Sequence, residues 1–207
     1  TDIAARGLDI ANSAGNGITV SGATNVFINH CTLFDCTGYL IAITNGASNV
    51  TVSWNEFYYS SAQAAHRYAV QVGAEAGETT PLRVTLHHNW WSANCDQRLP
   101  EVNHGAVHLY DNAYALSGNS VGVAALAGAE LLVENNAFDS LANPLTKSGG
   151  GLIGASGNAF NHITGTADAG GDVVFTPPYS YELAATANVA ATLTAVAPAA
   201  GAGNLAG

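Results

Sequence analysis

The stretch from Val50 to Phe57 reads VTVSWNEF, and its pattern recurs along the chain. Each copy is a short apolar or β-branched run, and all copies but the first end in Asn. The copies are VFINHC (26–31), VTVSWN (50–55), VTLHHN (84–89), VHLYDN (107–112), LLVENN (131–136) and LIGASGN (152–158). A strand-forming unit that repeats at a fixed period is the mark of a solenoid. The repeat therefore predicts an all-β protein, a single-stranded right-handed parallel β-helix with about 23 residues per coil.

Two columns of equivalent residues are expected to stack from coil to coil, because equivalent strands of neighbouring coils lie about 4.8 Å apart. An Asn column can pass side-chain amide hydrogen bonds along the solenoid and satisfy buried backbone groups at the bend. The predicted markers of this bend are Cys31, Asn55, Asn89, Asn112, Asn136 and Asn158. The aromatic residues that follow them predict a stacked interior or flanking column of Phe34, Phe57, Trp91, Tyr114, Phe138 and Phe160.

Composition argues against other folds and several functions. A leucine-rich repeat needs periodic Leu, which is absent, and the Val, Thr, Asn and Gly of the repeats disfavour helical repeats. Only 10% of the residues are charged, and the formal net charge is −10. That balance argues against nucleic acid and anionic membrane surfaces as partners. The uncharged polar surface is typical of extracellular solenoids, so we expect a secreted protein in a mature or trimmed form.

The repeat also predicts the domain organisation. Residues 1–183 are expected to form the β-helix, and the Ala-rich stretch 184–207 to cap it by packing on the same domain. One interval is too long, and its excess lies in 57–82, which is expected to form a loop on the functional face. Cys31 and Cys36 either form a disulfide or are small buried apolar residues like Cys95.

Four of these copies and one further stretch together resemble the core of polysaccharide lyase family 1, the pectate and pectin lyases. They are VTVSWNEF (50–57), VTLHHNWW (84–91), QRLP (97–100), VHLYDNAY (107–114) and LVENNAF (132–138), and PPYSYEL (177–183) resembles the C-terminal segment of that family. The resemblance runs from about Gly17 to the end of the chain, in the right order and spacing. It implies a secreted parallel β-helix that cleaves galacturonan, that is pectate or pectin, by β-elimination.

The resemblance also implies a set of site residues. In the family an Arg takes the proton from C5, next to the uronate carboxylate, and the C4 oxygen leaves. Arg98 matches that base and Pro100 the Pro of its Arg-x-Pro-x-x-Arg pattern, while the second Arg is replaced by Asn103. The basic substrate-binding residue of the family falls near Arg67 or Tyr68.

Several histidines are also candidates for the site or for the strands near it. His66, beside Arg67, is expected to help hold substrate carboxylates. His104 and His108, which follow Arg98 closely in sequence, are expected to face the same groove. His87 and His88 are consecutive in a predicted strand and are expected to point to opposite faces.

A calcium ion usually neutralises the carboxylate in this family, and its expected ligands are absent here. The matching positions carry Asn29, Gly38 and Ala42, none of which has a carboxylate, although calcium prefers several oxygen ligands including carboxylates. We therefore expect the usual calcium site to be lost.

Two functions from different classes follow. The first is a lyase that acts on an acidic, pectate- or pectin-like polysaccharide, with Arg98 as catalytic base and His66, Arg67 and His104 as substrate-binding residues. The second is a catalytically inactive solenoid that binds carbohydrate or has a structural role, with end-to-end self-association through exposed edge strands.

Overall fold

The computed structural model describes residues 3–74, 77–78, 80, 82–167, 169–195 and 200–202. Their secondary structure is almost entirely β. In chain order the elements are β1 (Ile3–Arg6), β2 (Asp9–Ala11), β3 (Ile18–Ser21), β4 (Thr24–Asn29), β5 (Thr32–Phe34), β6 (Tyr39–Thr44), β7 (Ser48–Ser53), β8 (Glu56–Tyr58), β9 (Tyr68–Val72), β10 (Arg83–His87), β11 (Trp90–Ala93), β12 (Glu101–Val102), β13 (Gly105–Tyr110), β14 (Ala113–Ala115), β15 (Val123–Ala125), β16 (Ala129–Glu134), β17 (Ala137–Asp139), β18 (Leu145–Lys147), β19 (Leu152–Ser156), β20 (Ala159–Asn161) and α1 (Thr186–Thr194).

These strands form three parallel sheets along one solenoid. Sheet A contains β1, β4, β7, β10, β13, β16 and β19, and sheet B contains β2, β5, β8, β11, β14, β17 and β20. Sheet C contains β3, β6, β9, β12, β15 and β18. The chain visits the sheets in the order A, B, C in each successive coil. The predicted parallel β-helix is confirmed.

The core is made of columns of apolar side chains because alternate residues of a strand point to opposite faces. In sheet A, one inward column runs from Val50 through Val84, Val107 and Leu131 to Ile153. All five side chains are buried. Stacking in register therefore converts the sequence repeat into a continuous hydrophobic core.

The predicted Asn ladder is present at the bend between sheets A and B. The Nδ2 atoms of Asn55, Asn89, Asn112 and Asn136 each donate to the Oδ1 atom of the Asn in the next coil, at 2.9–3.1 Å. The series ends at Asn158. Each of these amides also donates to a backbone carbonyl of the preceding coil. The ladder thus satisfies polar groups that the turn would otherwise bury without partners.

The aromatic column is confirmed for five of its six predicted members. Phe57, Trp91, Tyr114, Phe138 and Phe160 stack in order, with neighbouring ring centres 4.4–5.2 Å apart.

The sixth predicted member, Phe34, does not belong to that column. Leu33 holds the interior position, in register with Phe57, and Phe34 stacks on Tyr58 on the other face. A displacement of one residue in a strand moves a side chain to the opposite face.

The long interval does not form a single loop. Strand β9 lies in its middle and pairs with β6 and β12 in sheet C. The extra residues are divided between the β8–β9 connection, 59–67, and the β9–β10 connection, 73–82, of which 75, 76, 79 and 81 lie outside the described residues. The β8–β9 connection enters sheet C beside the predicted catalytic residue.

The C-terminal part covers two sheets. Tyr179 and Ala184 hydrogen-bond to side chains on the outer face of sheet A. Helix α1 buries Val189 and Leu193 against sheet B. The boundary between residues 1–183 and a cap at 184–207 stays a prediction, and residues 196–199 and 203–207 of that cap lie outside the described residues.

The alternatives for the cysteines are now separated. Cys31, Cys36 and Cys95 are all free and buried, so no disulfide joins Cys31 to Cys36. Burial raises the pKa of all three thiols, which makes them unreactive packing residues at neutral pH.

Candidate functional site on the outer face of sheet C

Arg98 lies immediately before β12, at an irregular point of sheet C. Its φ of 63° is in the left-handed region, and its carbonyl accepts a hydrogen bond from the Val70 amide at 2.7 Å. The following residue pair, Leu99–Pro100, has a cis peptide bond. Within β12, Val102 is buried in the core, so its neighbour Glu101 faces outward. The strand thus presents Glu101 beside Arg98 on the outer face of the sheet.

The Arg98 guanidinium is surrounded by aromatic rings and one carboxylate. Its Cζ atom lies 4.9 Å from the ring centre of Tyr39 and 4.8 Å from that of Tyr68. Its Nη1 atom lies 2.8 Å from Oε1 of Glu101. The carboxylate and the two π faces all attract the guanidinium. Arg98 is therefore held in place, with its side chain only 13% exposed.

A column of small and polar residues continues across the sheet from Glu101. Register places Ala42, Gln71, Glu101 and Ala124 side by side on four neighbouring strands. Gln71 is 3% exposed, and its Nε2 atom has no hydrogen-bond partner among the described residues. A buried donor without a partner is costly, and natural proteins contain few of them. The unpartnered amide of Gln71 is therefore the feature of the column that most needs an explanation.

The other predicted substrate-binding residues are distributed around Arg98. Arg67 donates to the Asn94 carbonyl at 2.6 Å and forms an ion pair with Asp96 at 3.9 Å. It therefore joins the β8–β9 connection to the loop that leads to Arg98. His66 is exposed and approaches the Tyr68 ring edge-on at 5.3 Å between ring centres. The structure thus brings His66 next to a ring that contacts Arg98, while the Arg67 head group is bound to the loop.

His104 lies at the opposite end of β12 from Arg98. It packs against two glycines, Gly73 and Gly128, and a side chain at either position would collide with it. Asn103, which replaces the second Arg of the family pattern, donates to the Gly73 carbonyl at 3.1 Å. The structure therefore does not bring His104 together with the Arg98 guanidinium.

The residues at the expected calcium positions do not fit a calcium ion. Asn29 lies in sheet A, where its Nδ2 donates to Ser53 Oγ at 2.9 Å and its Oδ1 lies 2.6 Å from Nδ1 of His30. Ala42 lies in sheet C, and a side chain at Gly38 would collide with Asn16. In the part of the chain that the structure describes, no group of three or more His, Cys, Asp and Glu residues is arranged to hold a metal.

A second polar cluster, on the outer face of sheet A, was not predicted as a unit. Its members are His87, His88, His108, Tyr110, Asp111, Glu134, Tyr179 and Tyr181. The Nδ1 atoms of His87 and His88 lie 2.9 Å apart, so the expectation that these rings point to opposite faces is wrong. The reason is the φ of 55° at His88, which ends the alternation of the strand. The alternating tyrosines of PPYSYEL were the available signal for this cluster.

Within this cluster the histidines are neutral and hydrogen-bonded. Burial lowers the pKa of His87 to about 3 and that of His88 to about 4. His108 lies 2.9 Å from the Tyr179 hydroxyl and 3.1 Å from Oε2 of Glu134. His108 is therefore a packing residue of sheet A, and the expectation that it shares a groove with Arg98 is wrong.

Comparisons with known proteins agree with this fold. A family model described as pectate lyase matches residues 6–205. Pectate lyase A of Aspergillus niger is 33% identical over 194 residues, which cover 88% of this chain and 57% of that protein. The pectate trisaccharide-lyase of Bacillus licheniformis is 26% identical over 186 residues, 84% of this chain and 52% of that protein. The chain thus spans about half the length of the curated relatives it matches.

A solved structure supports the same architecture. A pectate lyase from Bacillus sp. N165, in complex with trigalacturonate, superposes with a TM-score of 0.81 at 22% identity, covering 97% of this chain and 68% of that one. At this level of identity the similarity concerns the fold alone.

Proposed function

Since the chain belongs to the pectate lyase family, we propose that it cleaves a pectate- or pectin-like acidic polysaccharide by β-elimination, with Arg98 as the catalytic residue. The observation that carries the proposal is the position of Arg98. Its guanidinium is held between Tyr39 and Tyr68 on the outer face of sheet C, in the middle of the solenoid. A long polymer can lie across such a face.

The reaction has three linked bond changes. A base removes the proton on C5, the electron pair of that C–H bond forms a C4–C5 double bond, and the C4–O bond breaks. The leaving oxygen takes a proton from water. A guanidinium cation has no lone pair that can accept the C5 proton, so Arg98 acts as the base only after it has given a proton to solvent and left the ion pair with Glu101.

Substrate binding is proposed to use the residues around Arg98. His66 is exposed beside Tyr68, where its imidazole can donate to a sugar oxygen. Arg67 is proposed to act mainly by fixing the loop through Asn94 and Asp96, and His104 by contacting a more distant part of the polymer.

A spectrophotometric assay tests this proposal. Elimination creates an unsaturated product that absorbs in the ultraviolet. The two substrates are polygalacturonate and highly methyl-esterified pectin, and each is assayed with calcium and with chelator. Arg98→Ala is expected to lower kcat/KM by at least about 100-fold. The matched control is Arg83→Ala, which removes an exposed Arg of sheet A and is expected to leave the rate unchanged.

The second candidate function is a non-catalytic, carbohydrate-binding solenoid. The observation that favours it is the 2.8 Å ion pair, which opposes the use of Arg98 as a base. Absence of product from folded protein on both polymers, together with retained polymer binding, would select this alternative.

We further propose an extracellular location and a role in pectin degradation. The uncharged polar composition supports this location. End-to-end self-association is also proposed, because β1, β2 and β3 each pair with only one strand among the described residues. Sedimentation velocity over a range of concentrations tests it, and a single monomeric species throughout excludes it.

A further inference from the structure

The C-terminal segment crosses the outer face of sheet A and leaves a cavity of about 600 Å³ beneath it. That volume lies within the range of small-molecule binding sites. The floor is formed on the neighbouring strands β7, β10 and β13 by the small side chains of Thr51, Thr85 and Ala106. The roof is formed by Phe175, Pro178 and Tyr179. The cavity therefore lies on a different sheet from Arg98.

The cavity stays open because hydrogen bonds fix the segment above small floor residues. The Tyr179 hydroxyl lies 2.7 Å from Oγ1 of Thr85 and 2.9 Å from Nδ1 of His108. At the outward position that Thr51 and Thr85 hold on their strands, β16 carries the larger Leu132. Movement of the segment onto the floor would break the bonds of Tyr179, so the space beneath it is left for a ligand.

One guanidinium at the rim of the cavity is available to such a ligand. Arg67, Arg98 and Lys147 each form an ion pair with an acid. Arg83, at the start of β10, lines the cavity, is exposed and has no ion pair among the described residues. On a chain of net charge −10 it is a local positive charge, and its planar fork suits a carboxylate. The ligand is therefore expected to be an acid.

The remaining walls favour an aromatic ring over a sugar ring. The Phe175 ring lines the roof, and Tyr179 is 41% exposed although its hydroxyl is hydrogen-bonded. Phe27, in register with Thr51 on β4, is 40% exposed beside the floor. The Thr85 hydroxyl is already bound to Tyr179. A sugar acid would bring several hydroxyls to few partners, whereas an aromatic acid needs partners only for its carboxylate.

We propose that this cavity binds a small aromatic carboxylate, with the acid paired to Arg83 and the ring packed between the floor and the rings of Phe175 and Tyr179. The site goes beyond the proposed lyase function and does not depend on it, because the cavity lies on sheet A and Arg98 lies beside sheet C. The prediction that Arg83→Ala leaves the lyase rate unchanged therefore stands beside a predicted loss of ligand.

Isothermal titration calorimetry with three probes tests the proposal. Cinnamate supplies the ring and the carboxylate. Cinnamamide has the same shape but no charge, and galacturonate has a carboxylate but no aromatic ring. Cinnamate is expected to bind at one site per chain, at least about 10-fold more tightly than either of the other two, because hydrogen bonds to charged groups are the stronger ones and the sugar loses the apolar contacts.

Three variants locate the site. Arg83→Ala is expected to weaken cinnamate binding at least about 10-fold and to leave cinnamamide binding unchanged. Ala106→Leu fills part of the floor and is expected to weaken the binding of both probes. Arg6→Ala, which removes the exposed Arg of β1 three strands away, is the matched control and is expected to bind cinnamate as the parent protein does.

The outcomes decide the proposal without reference to catalysis. Absence of saturable cinnamate binding up to about 10 mM overturns it. Equal affinities of Arg83→Ala and Arg6→Ala for cinnamate overturn the site, and tighter binding of galacturonate than of cinnamate overturns the ligand class. If Ala106→Leu unfolds at a lower urea concentration than the parent, the exposed substitution Arg83→Ala decides alone. A failed lyase assay leaves these results unaffected.

Discussion

Sheets A and C each carry a cluster of aromatic and ionisable side chains on their outer faces, but the two clusters are completed in different ways. On sheet A, the C-terminal segment closes the cluster. Tyr179 bonds to Thr85 and His108, and Tyr181 donates to Glu134 at 2.7 Å. On sheet C, Arg98 is held by its own neighbours, and Gln71 keeps an amide nitrogen without a partner among the described residues.

This difference separates stabilising polar groups from functional ones. A buried polar group that has its hydrogen bonds contributes to stability, whereas one left without a partner is costly and needs an explanation. By that criterion the three histidines of sheet A, despite being the more obvious catalytic residue type, fit a structural role. We propose the functional role for Arg98 because of its position beside sheet C, between Tyr39 and Tyr68.

The largest expected effect comes from comparing a substitution by alanine in each of the two clusters. Arg98→Ala is expected to lower kcat/KM at least about 100-fold with little change in thermal midpoint. His108→Ala removes a buried ring and its hydrogen bonds to Glu134 and Tyr179, and is expected to lower the free energy of unfolding by about 2 kcal/mol while the folded protein keeps its activity. Urea unfolding and the ultraviolet assay on both variants measure this. Equal losses of activity in the two variants would contradict the separation of roles.

Acid is expected to weaken sheet A before it affects sheet C. His87 and His88 have pKa values of about 3 and about 4 in the folded chain, below the ordinary value of 6.5. As the pH falls below 6.5, these histidines take up protons in the unfolded chain but not in the folded chain. The free energy of unfolding therefore decreases as the pH is lowered from 6.5, and this decrease ends only near pH 3–4, where the folded chain also takes up the protons. By pH 5 each histidine is expected to cost about 2 kcal/mol relative to pH 7.5.

Other groups facing these rings limit the pH window of that test. Burial raises the pKa of Asp111, so protonation of this carboxyl at lower pH stabilises the folded chain and opposes the loss of stability caused by the histidines. The test is therefore made between pH 7.5 and pH 5. Burial also lowers the pKa of His108, which adds to the loss despite its bond to Glu134. Urea unfolding across this range, with a double His87→Gln, His88→Gln variant as comparison, measures the slope. An unchanged slope in the double variant would show that other groups carry it.

Removing the carboxylate that holds Arg98 is expected to have a moderate effect on rate. In Glu101→Gln the guanidinium loses its ion pair, so Arg98 is freer to reach C5 of the substrate. The rate is expected to rise about 5-fold. Glu130→Gln, on the exposed side of sheet A, is the control. A fall in rate would mean that Glu101 positions Arg98 productively.

The repeat predicted most of the fold because stacking imposes the same requirement on every coil. The Asn ladder and the aromatic column follow from identical residues placed in register. The prediction failed where the chain departs from the regular spacing of the repeat. Phe34 lies three residues after its marker rather than two, and β1 and β2 form a coil before Gly17 that carries no clear copy of the repeat.

The site was less predictable because it depends on contacts between coils. Arg98 and His66 are brought near each other through Tyr68, whereas Arg67 is directed into a loop and His104 to the far end of β12. The environment of Gln71 depends on its register between Ala42 and Glu101, which spacing along one strand does not reveal. His88 does not follow the expected alternation of strand side chains, because it lies at the bend before a ladder residue, where the backbone needs a left-handed φ.

The smallest expected effect comes from removing a single hydrogen bond of the polar cluster on sheet A. Tyr181→Phe removes the hydroxyl that donates to Glu134 at 2.7 Å but leaves the ring in place against Tyr110. The loss is expected to be about 1 kcal/mol of unfolding free energy, since Glu134 keeps its bond to His108. Tyr58→Phe, which removes a hydroxyl with no hydrogen-bond partner among the described residues, is expected to be nearly neutral. If both variants unfold at the same urea concentration, the C-terminal segment is held against sheet A by packing rather than by its hydrogen bond to the Glu134 carboxylate.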